Sequence, residues 1–187
     1  MKSDTCLPTK GLNRRQNQKT KIEVKMNRHD MIFDINHSYH LEKMFAILTG
    51  RVDRIMTYLI ILSGCGVFVS ISGYVWFGAL IAALSISQVV YQFSKASGVA
   101  TEQARLYLEL ITDEPELDDS ELSERFKNLQ KYDSQPWACL ALPAQKIATT
   151  ALGLEDTTRE LCWQEILAAR IVGYLPRKKH DRKTRHS

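Results

Sequence analysis

From Ile55 to Ser94 the chain carries no Asp, Glu, Lys or Arg across 40 consecutive residues, although charge is dense on both sides of that stretch. A helix packed in a water-soluble core keeps one face in water, and that face seldom goes so long without an ionised side chain. Lipid is the simplest solvent for such a segment. A bilayer core of roughly 30 Å takes about 20 residues of helix, so the stretch is long enough for two spans. Ser70, Ile71, Ser72 and Gly73 form the one concentrated turn signal inside it. The expected spans are therefore Arg51 to about Ser70 and Tyr74 to about Phe93, with Tyr74 and Trp76 suited to the membrane interface. The expected fold class is an all-α membrane protein: a two-helix transmembrane hairpin with long helical cytoplasmic extensions and a C-terminal helical region.

Charge sets the orientation. Lys43, Arg51 and Arg54 precede the first span, Lys95 and Arg105 follow the second, and the turn has no basic residue. The positive-inside rule then puts both termini in the cytoplasm. The stretch begins too far from Met1 for a cleavable signal peptide, so the first span is expected to direct insertion itself. Cys6, Cys65, Cys139 and Cys162 show no paired spacing, and are read as free thiols in a reducing compartment.

Four regions follow from the flanks. Residues 1–35 read as a basic disordered arm, too poor in large apolar groups to offset the entropy of ordering. Residues 36–111 read as the hairpin with its helical extensions. A helix from Asn36 or Ser38 aligns Leu41, Met44, Phe45, Leu48 and Val52 on one face, and an exit helix from Lys95 to Ile111 does the same with Ala96, Val99, Ala100, Gln103, Tyr107 and Leu110. Residues 112–175 read as a cytoplasmic helical region: a loop at Pro115, a helix capped at Asp118 or Asp119 with Leu122, Phe126 and Leu129 inward, and a bend between Pro136 and Pro143. A small-residue helix through Ala148 follows, then a last helix opened by the capping-box pattern from Thr157 to Glu160. Residues 176–187 read as a basic disordered tail. Basic segments beside a membrane hairpin favour anionic lipid over nucleic acid, since no aromatic residues alternate with the bases.

No catalytic constellation is present in the pattern, and neither a cofactor nor a metal is expected. His37 and His40 lack a neighbouring carboxylate or thiol at ligand spacing and read as exposed, solvated side chains. Gly64, Cys65 and Gly66 look like a fragment of a phosphate loop but lie inside the first span, where glycine permits close helix packing. In the second span Ser85, Gln88 and Gln92 share one face, continued by Gly78 and Ala82. They line a wet path in an oligomer or hydrogen-bond to the first span, and the sequence does not separate the two. Gly66, Ser70, Ala79, Ala83 and Ser87 are the candidate small-residue packing positions.

The order of parts resembles the SLATT proteins, two-transmembrane effectors of nucleotide-signalled bacterial antiphage defence. The resemblance runs from about His37 to Leu154. It is carried by the entry helix, the tight hairpin, the exit segment FSKASGVATEQARLYLEL with its Tyr107-x-x-Leu110, and the acidic break before SELSERFKNLQKYDSQPWACLALPAQKIA. It implies a homo-oligomer in the bacterial inner membrane that permeabilises the bilayer when a signalling or sensor partner protein detects infection. The alternatives are a phage holin-like lesion protein and a non-conducting anchor or scaffold for a cytoplasmic enzyme.

Overall fold

The computed structural model describes residues 27–66 and 74–174. Among these the chain is all helical. The elements are α1 (Arg28–Gly66), α2 (Tyr74–Tyr91), α3 (Phe93–Asp113), α4 (Asp119–Gln130), α5 (Ala141–Ala151) and α6 (Trp163–Val172), with 3-10 turns at Glu114–Glu116 and Ala138–Leu140. The tail beyond Tyr174 and the first 26 residues, with Cys6, lie outside the described residues, as do residues 67–73, which hold Ser70.

α1 is one helix of 39 residues, about 58 Å long at 1.5 Å per residue. Its N-terminal half is the spine of a helical bundle, with α3 as its most extensive partner and with α5 and α6 also packed against it. One core gathers Met44, Phe45, Leu48, Ala100, Leu140, Ala144 and Ala168. A second, nearer the start of α1, gathers Met31, Ile35, Tyr107, Leu110, Leu122 and Phe126.

That second core corrects the expected arm of residues 1–35. α1 starts at Arg28 because Met31 and Ile35 bury almost completely and because Arg28 is spent on the turn after α3. Its guanidinium donates to Glu114 Oε1 at 2.6 Å, Asp119 Oδ1 at 2.7 Å and the Leu117 carbonyl at 3.1 Å. A cation counted as part of a solvated run is a clamp that ties the first turn of α1 to the acidic loop.

Two further expectations change. The last helix begins at Trp163, not in the Thr157–Glu160 pattern: Thr158 turns back onto Asp156 Oδ1 instead (Oγ to Oδ1 2.5 Å), and the capping box forms at Cys162 with Glu165. Glu165 can fill that place because Arg159 grips its carboxylate with two nitrogens, at 2.6 and 2.9 Å. The helix stops at Gly173, whose φ of 93° is one that only glycine adopts at little cost. In α3, Val99 faces solvent, and Ala104 takes the inward place beside Ala100 and Gln103.

The hairpin is formed by the apolar end of α1 and by α2, which pack against each other. Among the described residues no helix is long and apolar enough to cross a membrane. α1 has Arg51, Asp53 and Arg54 just below an uncharged end of only 12 residues (55–66), and α2 has 18 residues, about 27 Å of helix.

Candidate functional site

The face of α2 turned to α1 is Ile81, Leu84, Ser85 and Gln88, at steps of three, one and three residues; α1 answers with Met56, Ile60 and the buried Ser63. Gln88 is the one member of the polar stripe with a defined cross-helix partner: its Nε2 donates to Thr57 Oγ1 at 3.0 Å and to Asp53 Oδ1 at 3.3 Å. Ser85 is half-buried on the same face. Gln92 leaves the stripe altogether. It is the residue between α2 and α3, exposed, with φ 44° and ψ 46°. Left-handed backbone costs an L side chain about 1–2 kcal/mol, and here it bends the second leg where the apolar segment ends. The expected continuous passage from Tyr74 to Phe93 is therefore broken one residue short, although the hydrogen bonds Gln92 N–H to Gln88 and Ala96 N–H to Gln92 carry the chain across.

The small residues behave differently from one another. Ala79 and Ala83 lie exposed, on the side of α2 away from α1, and the half-buried Ser87 spends its hydroxyl on the Ala83 carbonyl at 2.8 Å. Among the described residues nothing covers Ala79 and Ala83. Gly64 has open space where a Cβ would stand, so it is not a close-contact glycine. The surroundings of Gly66 and Cys65 lie outside the described residues. The glycine that does mediate close approach is Gly50: a Cβ there would come within 2.9 Å of Ser97 Oγ, which itself donates to the Ala46 carbonyl at 2.8 Å. It had no signal of its own in the sequence, since Gly50 falls outside the uncharged stretch.

Beyond their shared seam the two hairpin legs are bare. Ile55, Tyr58, Leu59, Ile61 and Leu62 on α1 and Trp76, Leu80, Ile86, Val89, Val90 and Tyr91 on α2 all stay between 45% and 80% exposed. Apolar patches of this kind mark surfaces meant to be covered. The charges sit at one end only. Arg51 donates to the Ile171 carbonyl at the end of α6, and neither Arg54 nor Lys95 has an ion pair among the described residues.

The bundle below holds the polar groups that the sequence pattern did not single out. Glu42 is buried on α1 and receives the Ser134 N–H at 3.0 Å and the Ser134 hydroxyl at 2.5 Å. Burial pushes its carboxyl up; the Ser134 bonds pull the other way, and the Asp133 charge adds to the rise. Asp133 in turn accepts from the Tyr107 hydroxyl at 2.6 Å and from Gln103 Nε2 at 3.0 Å. Burial, and then Asp133, push the Tyr107 hydroxyl well above its usual range. These bonds latch the segment between α4 and α5 onto α1 and α3. A hint existed: Glu42 is seven residues after Ile35 and three before Phe45, squarely on the apolar stripe.

The histidines are not the solvated pair expected. Both are half-buried: His37 Nε2 lies 3.3 Å from the Ala141 carbonyl, and burial, with Lys43 and His37 nearby, pushes the His40 imidazole down. No group of three or more His, Cys, Asp or Glu among the described residues could hold a metal ion. Cys139 and Cys162 are free thiols, and burial pushes Cys139 up. No family model, curated protein or solved structure matches the chain.

Proposed function

We propose that the α1–α2 hairpin is inserted in a bilayer with both chain ends on one side, and that copies of the chain assemble there into a membrane-permeabilising effector. The observation that carries this reading is the segregation of the surface: eleven large apolar side chains stand exposed on the two legs, while the ionised groups gather beneath them. In water that surface would drive aggregation; in hydrocarbon it is already solvated. The uncharged stretch of sequence continues from the end of α1 through residues 67–73 into α2, and α2 by itself offers 18 residues, about 27 Å of helix, toward a core of roughly 30 Å. Two helices enclose no pore, so conduction requires an oligomer, and the exposed Ala79 and Ala83 offer a face where a neighbouring helix can come close.

The resemblance to SLATT proteins sets the biological frame: a bacterial inner-membrane effector in antiphage defence, released by a partner that signals or senses infection. A second reading, a non-conducting anchor for a cytoplasmic enzyme, is favoured by one observation. Gln88 is satisfied inside the chain by Thr57 and Asp53 and so is not free to line a wet path.

Dye release from liposomes separates the two. The effector reading expects leakage that rises with protein oligomerisation and is lost when leucine replaces the exposed Ala79 and Ala83, without loss of insertion. Protein that inserts and oligomerises but never releases dye leaves the anchor reading in its place.

A further inference from the structure

A cavity of about 310 Å³ opens where α2 meets α3, at the foot of the hairpin. Its wall is mixed: Ala96, Val99 and the edge of the buried Phe45 are apolar, Lys95, Gln92, Gln135 and Tyr91 carry hydrogen-bond donors, and no carboxylate lines it. Lys95 is the first ionised residue after the uncharged stretch and has no ion pair among the described residues. Its height is fixed by the seam: Ser97 meets Gly50 and the Ala46 carbonyl, which puts Lys95 close to the level of Arg51, about one turn below the first uncharged residue of α1.

Resting on the bilayer reading above, we propose that this cavity binds the phosphate of an anionic phospholipid headgroup, with Lys95 as its counter-ion and the Gln92, Gln135 and Tyr91 donors around it. The match is chemical. A headgroup phosphate at the membrane surface is an anion that needs donors without competing acceptors, and the glycerol and first acyl carbons beside it need apolar wall. A free nucleotide or inorganic phosphate would share the anion but would leave the exposed Val99 facing water. A phospholipid covers both the donors and the apolar wall.

Flotation of the full chain with two kinds of vesicle tests this, one of phosphatidylcholine alone and one of equal parts phosphatidylcholine and phosphatidylglycerol. The expected result is flotation with both and tighter binding to the anionic vesicles. Lys95→Gln should cut that preference about fivefold. Arg54→Gln, which removes the same charge at the same end of the hairpin but outside the cavity, should cut it less, and inorganic phosphate should not compete. Equal loss in the two variants would mean a diffuse charge effect and would overturn the site. Competition by inorganic phosphate would overturn the lipid assignment in favour of a free anion. Absence of flotation with either vesicle would instead sink the bilayer reading itself, a result that cannot be confused with flotation lacking any anionic preference.

Discussion

Replacing Gly50 by alanine and Gly98 by alanine introduces the same methyl group into two helix interiors, and only the second should stabilise the fold. Each substitution gains about 1 kcal/mol of helix propensity, because glycine loses more backbone freedom on folding. At Gly98 nothing lies within 4 Å of the new Cβ and the residue is exposed, so that gain stands alone. At Gly50 the methyl would sit 2.9 Å from Ser97 Oγ. The hydroxyl must swing away and give up its bond to the Ala46 carbonyl, at about 1 kcal/mol, which cancels the gain; Ser97 Cβ, at 3.8 Å, is in ordinary contact, so the seam between α1 and α3 need not part. The net is a stabilisation of about 1 kcal/mol for Gly98→Ala and about none for Gly50→Ala. For a chain of this size each kcal/mol moves the melting temperature by about 2–4 °C. Thermal unfolding in detergent, followed by circular dichroism, should thus separate the two variants by about 2–4 °C. Ser97→Ala placed in the Gly50→Ala background should cost nothing further, since the hydroxyl's bond is already lost there. If the two alanines shift the melting temperature alike, or Ser97→Ala lowers it in that background, the close approach inferred at Gly50 is wrong.

Three other outcomes can be measured on the same material. Tyr107→Phe, which strips a fully buried hydroxyl from Asp133 while keeping the ring against Phe126, should cost about 1–3 kcal/mol by denaturant unfolding; a loss below the error of the titration would refute the latch. Burial pushes the Asp156 carboxyl up, but Lys146 and Thr158 outweigh it and hold it at about 2, below its ordinary 3.8. Its ionised form therefore stabilises the fold above 3.8, and that contribution fades as pH falls toward about 2. Asp156→Asn should be less stable than the parent near neutrality and converge with it in strong acid. For Glu42 the sign reverses: the native carboxyl holds its proton more tightly than the unfolded one, so stability falls as pH rises upward from 4.5. Glu42→Gln should lack that decline, and parallel pH profiles for parent and variant would rule out the buried acid as its source.

Most of the helical order was legible because periodicity is a local property. Leu122 and Phe126 stand on the buried face of α4 and Ala100, Tyr107 and Leu110 on that of α3, as their spacing of three and four residues requires. What the pattern hid were contacts between distant segments. Arg28 looks like one more residue of a basic run until it reaches Glu114 and Asp119, some ninety positions away. The Thr157–Glu160 motif is a valid helix start on paper, yet it lost to Cys162 because Arg159 and the Cys162 N–H recruit Glu165. Of the candidate site, the face shared by Ser85 and Gln88 was readable from their spacing. The partners Thr57 and Asp53 were not, since their register depends on how the hairpin closes. Nothing in the local sequence could have announced that Gln92 adopts a left-handed conformation, because glutamine carries no preference for it.

The two legs of the hairpin are mechanically unlike. The first continues from Arg28 to Gly66 as a single rod, so a tilt or roll imposed on the lower bundle is delivered undiminished to its far tip. The second meets a joint at Gln92, which lets α2 take a direction that α3 does not dictate. A pull on the lower helices therefore steers one leg directly and leaves the other to follow through Gln88 and its grip on Thr57 and Asp53.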